Sequence, residues 1–391
     1  MPVVHSRFDD FPAYPLAEVP RIRRELRARG VDVIDLGAGD ADLAPPPPAV
    51  AALKQAADDV AMSRYGFQLG RVELRESLAR WMATRFGVTV DPMRELLPLL
   101  GSKEGIAHLA FGYVGAGDAT VVPDPGYAPY RGGTLLAGGE PHLVALRPEN
   151  GFLVPFDDIP AAVAARTRIV YLNYPNNPTT ATAPVEYLEE AVAWCRAHDA
   201  VLCYDNAYSE IAFDGYRPPS ILEVDGAREV AVEFHSFSKT YNMTGWRVGW
   251  AVGGADIIAA LQRVKTFVDT GHFMAVQEGA RAAVDAYDVW VPGNVDTFRN
   301  RRDAAVGALR AAGFEVTAPR ATMYLWIPVP GGEPSGPFAL RALQDAGVVI
   351  MPGSALGAGG EGFFRLALTT GEDRLEEAAA RLGRVIRGAA G

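Results

Sequence analysis

Cysteine is nearly absent. Cys195 and Cys203 are the only two in 391 residues, and neither belongs to a metal-type spacing. A disulfide framework and a cysteine-ligated metal are excluded, and both thiols are expected to be reduced and buried in a cytoplasmic protein. Long apolar runs are missing as well: none reaches the roughly eighteen residues of a membrane span, and Met1–Asp10 lacks the apolar stretch of a signal peptide. The six histidines are scattered, with no HExxH-like pair, so no metal is expected. Basic charge is in deficit. Lys and Arg number 37 against 47 Asp and Glu, a net charge of −10, which argues against nucleic acid as a partner. No internal repeat or low-complexity tract is present.

What remains is ordinary for a soluble enzyme, with 49% hydrophobic and 21% charged residues. The length predicts two domains. An arm rich in proline and aromatic residues (Phe8, Phe11, Tyr14) exposes rings that need burial against another domain or subunit. Gly37–Ala38–Gly39 lacks a third glycine and is followed by Pro45–Pro48 rather than a helix, so it is not a dinucleotide fingerprint. From Ala49 onward short apolar strands alternate with helical stretches. Leu96–Leu100, Ala119–Val122, Ile169–Leu172, Val201–Tyr204 and Val230–Phe234 each end in a polar turn, the pattern of a mostly parallel sheet with helices on both faces. Ser102 is predicted to cap the helix after the first of these strands. Past about Tyr287 the texture changes to a smaller α+β unit, with strands expected at Phe314–Val316, Met323–Ile327, Val348–Met351 and Phe363–Leu368 and a last helix over Asp373–Arg387. The division expected is an arm and part of the small domain over 1–41, a large domain over 42–287 and a small C-terminal domain over 288–391.

In such sheets ligands bind where strands end. Ser102, Tyr127, Asn177, Asp205 and Lys239 all fall there. The densest of these sites is Ser236–Phe237–Ser238–Lys239–Thr240–Tyr241–Asn242–Met243–Thr244–Gly245–Trp246–Arg247–Val248–Gly249. One lysine stands among small hydroxyls, with an arginine eight positions on. A lysine that bonds an aldehyde must be held in a loop against a phosphate-bearing ligand, and hydroxyls with a guanidinium are the groups that hold phosphate.

This stretch resembles the cofactor-lysine signature of the class I/II aminotransferases, which bind pyridoxal 5'-phosphate (PLP). The likeness extends to Asp124–Pro125–Gly126–Tyr127, Asn176–Asn177–Pro178–Thr179, Asp205–Asn206–Ala207–Tyr208 and Phe364–Arg365–Leu366. It implies PLP fold type I: a large domain with a mostly parallel, seven-stranded sheet flanked by helices, plus a smaller α+β domain. It also implies Lys239 as the cofactor lysine, with Ser102, Lys103, Ser236, Ser238 and Arg247 at the phosphate. Asp205 would face the pyridine nitrogen, where a carboxylate keeps the ring protonated and electron-withdrawing. Tyr208 and Asn177 would hold the ring oxygen O3' and Tyr127 would stack on the ring. Arg365 would grip the substrate α-carboxylate, Gly39 would approach the substrate, and Tyr65 would reach a partner subunit's phosphate in a homodimer with composite active sites.

Within the family, Leu36–Gly37–Ala38–Gly39–Asp40, Gly101–Ser102–Lys103–Glu104–Gly105–Ile106 and Phe213–Asp214–Gly215–Tyr216 are similar to the bacterial LL-diaminopimelate aminotransferases. That likeness implies lysine biosynthesis, LL-2,6-diaminopimelate as amino donor and 2-oxoglutarate as acceptor in a ping-pong exchange, and Tyr14 reaching the substrate pocket. Three departures border the site: Ala41 and Ala128 replace prolines, and Thr180 replaces a glycine. They bear on the substrate more than on the chemistry. Other amino-acid transaminases of aspartate or alanine type, a PLP C–S lyase and a non-catalytic PLP-fold sensor are the alternatives. A sensor would need a fused DNA-binding domain, for which the first 20 residues are too short.

Overall fold

Apolar alternation with period two builds the larger sheet. Ile169, Tyr171, Val201 and Cys203 face one core, while Val170, Leu172, Leu202 and Tyr204 face another on the opposite side. Strands buried on both faces require helices on both faces. A computed structural model, which describes residues 19–66 and 70–388, supplies them. Seven strands lie in the order Leu96–Leu99, Gly249–Gly253, Ala231–Ser236, Val201–Asp205, Thr167–Asn173, Ala119–Asp124, Glu140–Ala145. Gly249–Gly253 runs antiparallel to both neighbours, and the other pairings are parallel. Six strands therefore deliver their C-terminal ends to one edge. Cys195 and Cys203 belong to the two cores on opposite faces and are free thiols.

A second assembly comes from the C-terminal part. Tyr324–Pro328 and Met351–Pro352 flank Phe363–Ala367 in an antiparallel three-stranded sheet, with Arg365 opposite Trp326 and Ala367 opposite Tyr324. Ile34–Asp35 pairs in parallel with Val348–Val349, so the segment after the first helix joins this part. The helices Tyr287–Ala311 and Glu372–Gly388 pack beside it around Phe298, Leu309, Phe338, Phe364 and Leu382. Burial of each such side chain is worth about 1.5–3 kcal/mol.

The expected strand Phe314–Val316 is absent: Phe314 and Val316 are buried while Glu315 is exposed, but no strand pairs with the segment. The expected strand Val348–Met351 is two, because Val348–Val349 pairs with the N-terminal segment and Met351–Pro352 with Phe364–Arg365. Among the described residues no helix is long and apolar enough to cross a membrane.

Candidate active site

Where the parallel strands end, a cavity of about 910 Å³ opens between the two sheets. Gly39, Ser102, Lys103, Tyr127, Asn177, Asp205, Tyr208, Ser236, Ser238, Lys239, Arg247 and Arg365 all border it. Tyr65 does not. It stands 71% exposed in the loop after the 3-10 turn Val60–Ser63. Tyr14 lies outside the described residues.

The lysine is on a helical turn rather than in a loop. Phe237–Thr240 forms one α-turn, and Ser236 Oγ caps it by accepting from the Ser238 amide at 3.2 Å. The turn aims Lys239 Nζ at the Gly39 carbonyl, to which it donates. Ser102 is likewise not the cap predicted for its helix. Gly101 occupies that position with φ +81°, and Ser102 is the first residue of the helix Ser102–Tyr113. Only glycine takes that backbone readily, and a Cβ there would also collide with the Arg247 guanidinium. The helix N-terminus, Ser236, Ser238 and Arg247 thus surround one end of the cavity with donors and positive charge, the setting that binds phosphate.

Asp205 closes the strand Val201–Asp205 and borders the same cavity. Tyr130 donates to its Oδ2 at 2.8 Å, while Oδ1 is buried without a partner. Burial pushes the carboxyl up to about 6, opposed chiefly by the Tyr130 hydrogen bond. A buried carboxylate oxygen left unmatched costs about 1–3 kcal/mol, and a protonated ring nitrogen is the donor that would relieve it. Tyr127 lies edge-on to Tyr130, with ring centroids 5.7 Å apart; burial foremost, then Asp205, raises its phenol. These residues fit PLP: a lysine, an anion cradle and a waiting carboxylate oxygen share one cavity.

Arg365 is 5% exposed. Its Nη1 donates to Asn177 Oδ1 at 2.7 Å and Nη2 to the Gly37 carbonyl at 2.8 Å, while Nε has no partner. Asn177 is itself held by Asn173, whose Oδ1 accepts its amide at 2.7 Å. Among the described residues no carboxylate pairs with Arg365, so a buried cation is left to neutral acceptors. Such a charge favours an anionic ligand. Thr180, one of the three departures, has φ +63°, so a β-branched side chain stands where glycine would be unstrained.

Sequence reasoning missed Tyr130, Asn173 and Tyr324. Tyr130 follows Tyr127 by three residues, a helical spacing that could have suggested a shared face. Asn173 ends its strand as Asp205 does. Nothing in the sequence signals Tyr324, whose hydroxyl meets that of Tyr208 across 116 residues of chain.

Comparison with known proteins places this geometry. The family model for aminotransferase class I and II matches residues 31–382. The chain is 48% identical to an LL-diaminopimelate aminotransferase of Desulforudis audaxviator, over 96% of both chains. It is 45% identical to another of that name from Aquifex aeolicus, over 96% of this chain and 97% of that one. Substrate-bound BacF from Bacillus subtilis superposes with a TM-score of 0.94 at 32% identity, covering 98% of both chains. N-succinyldiaminopimelate aminotransferase from Mycobacterium tuberculosis superposes at 0.90 and 27% identity, covering 98% of this chain and all of the other.

Proposed function

We propose a substrate from one premise: the chain belongs to the class I and II aminotransferases, PLP-dependent transaminases. The amino donor is LL-2,6-diaminopimelate and the acceptor 2-oxoglutarate, exchanged in two half-reactions in the cytoplasm. The observation that carries this choice is 45–48% identity over nearly the whole chain to proteins named for that donor.

PLP supplies an aldehyde that takes up the amino group and a ring that draws electrons from the bond broken at Cα. In our reading Ser102, Lys103, Ser236, Ser238 and Arg247 hold its phosphate. Asp205 Oδ1, kept ionised and oriented by Tyr130, faces the ring nitrogen. Tyr127 covers the ring, and Tyr208 and Asn177 donate to its O3' oxygen. Lys239 Nζ would hold the aldehyde and, as a free amine, would move the proton at the substrate Cα. Arg365 orients the substrate through its α-carboxylate, with a fork whose geometry suits that anion. Gly39 brings backbone close on the substrate side. The residues 42–287 and 288–391 act as the two domains that enclose this site.

The assembly in this reading is a homodimer. Phe267, Val268 and Phe273 are 85%, 54% and 46% exposed. They flank His272, which hydrogen-bonds the Arg247 carbonyl at 2.7 Å. An exposed apolar face beside the phosphate cradle suits a second copy, whose Tyr65 would complete the cradle.

A donor screen tests the substrate. With 2-oxoglutarate as acceptor, kcat/KM for LL-2,6-diaminopimelate should exceed that for L-aspartate, L-alanine or N-succinyl-LL-diaminopimelate by about 10²-fold or more. Equal or better use of any of these would overturn the choice of donor and leave the transaminase chemistry standing.

A further inference from the structure

Tyr324 has no part in the reading above, yet three groups of the site meet on it. It opens the strand Tyr324–Pro328 and is 2% exposed. Its hydroxyl lies 3.2 Å from that of Tyr208, with the two rings edge-on at 5.6 Å. The Arg365 guanidinium sits over its ring, 4.2 Å from the centroid. Gly39, whose carbonyl holds Lys239, has no room for a Cβ because the Tyr324 hydroxyl fills that space.

We propose that Tyr324 is a positioning residue: its hydroxyl turns the Tyr208 proton into the cavity, and its ring face seats Arg365. The proposal rests on the cofactor reading of Tyr208. Each phenol has one proton, so the direction of the shared hydrogen bond decides what Tyr208 can do. If Tyr208 donated to Tyr324, only its lone pairs would face the cavity and it could not donate to O3'. The cations on the Tyr324 side favour the opposite direction: Arg365 lies over its ring, and Lys239 is held on Gly39, which its hydroxyl abuts. Burial raises both phenols, but the Lys239 and Arg365 cations and the Tyr208 hydrogen bond bring Tyr324 below its ordinary value. Tyr208 is held well above its ordinary value by burial first and then by Tyr324, with Asp205 adding to the rise and Arg365 opposing it. Tyr127, the remaining phenol, also lines the cavity. A hydroxyl beside cations turns its lone pairs toward them and its proton away, so the chain runs from Tyr324 to Tyr208 and on into the cavity. Arg365 over the ring is a cation–π contact that fixes the guanidinium plane without consuming an N–H donor.

The test uses the holoenzyme and reads the pH midpoint of the bound cofactor's visible absorbance change. A weaker Tyr208 donor leaves the negative charge on O3' less stabilised, so the cofactor keeps its proton to higher pH. Tyr324→Phe should raise the midpoint by about 0.5 unit or more, lower kcat roughly tenfold and leave KM within about twofold, because the ring under Arg365 survives. Tyr324→Leu, which removes the ring too, should raise KM by a further factor of about ten. In a Tyr208→Phe background, adding Tyr324→Phe should move the midpoint no further. An unmoved midpoint in a Tyr324→Phe protein that titrates and melts like wild type overturns the role, as does an additive shift in the double variant. A wild-type holoenzyme with no pH-dependent band would overturn the cofactor reading of Tyr208, and this role with it.

Discussion

Asp205 and the Lys239 turn leave adjacent parallel strands of the seven-stranded sheet, whereas Arg365 and Tyr324 stand on neighbouring antiparallel strands of the three-stranded one. The first pair belongs to strand-end turns whose polar residues lie together in sequence, and their direction follows from the parallel sheet alone. The second pair reaches the cavity only because the small sheet packs across its mouth, with Arg365 touching Gly37 and Asn177 and Tyr324 touching Tyr208. In the proposed function the difference is a division of labour: the large sheet would hold the cofactor and do the chemistry, while the small one would hold the substrate and align what the large one presents.

That division can be broken from either side. The largest effect is expected at Lys239. Lys239→Ala should abolish both turnover and the cofactor's visible band, and an unchanged spectrum with full turnover would remove the large sheet from the chemistry. Asp205→Ala should cut turnover roughly 10³-fold and weaken PLP binding, because the ring loses its stabilising charge; retention of more than about a tenth of the activity would reduce Asp205 to a turn residue. On the small-sheet side, Arg365→Lys should lower kcat/KM about 10²-fold, mainly by raising KM for amino donor and oxo acceptor alike. A loss confined to kcat would contradict the assignment of that sheet to substrate binding.

The pH dependence of stability sharpens the comparison further. Burial lifts Asp205 to about 6 from an ordinary 3.8, so between those pH values the folded, ligand-free chain holds a proton that the unfolded chain releases. The stability tied to that proton is fully present below about 4 and is lost as pH rises through about 6, a change of about 2–3 kcal/mol. Wild type should lose stability relative to Asp205→Asn across that window in thermal melts. Parallel curves would show that the carboxyl ionises in the fold as easily as in water. The smallest effect belongs to neither sheet. Tyr65→Phe should weaken PLP binding by about 1 kcal/mol, one hydrogen bond's worth. Mixing Lys239→Ala with a second inactive variant, in which Tyr65 is replaced by a disruptive residue such as Asp, should restore part of the activity, since one heterodimer site would carry both lesions and the other none; no recovery after subunit exchange would mean that each chain builds its site alone.

Much of the site was legible in the sequence because its groups are local. Period-two apolar runs set the strands, polar turns mark their ends, and Ser236–Arg247 carries its own anion-binding chemistry in twelve residues. Errors came where a residue's state depends on a distant neighbour. Phe314–Val316 has a strand's alternation but no partner edge, and Val348–Met351 is split because two different strands claim its halves. Gly101 rather than Ser102 stands at the cap of its helix, with a backbone at φ +81° that glycine takes readily, and it lies against the Arg247 guanidinium from far along the chain.

By itself the sequence determined the class of fold and the kinds of chemical group gathered at the strand ends, because backbone periodicity and side-chain chemistry act within a few residues. Only the tertiary structure decided which atoms of those groups are available. It spent Asp205 Oδ2 on Tyr130 and left Oδ1 to the cavity, buried Arg365 without a counter-charge, and joined Tyr324 to Tyr208. Those outcomes depend on burial and on contacts between segments 75 and 116 residues apart, and no local pattern encodes either.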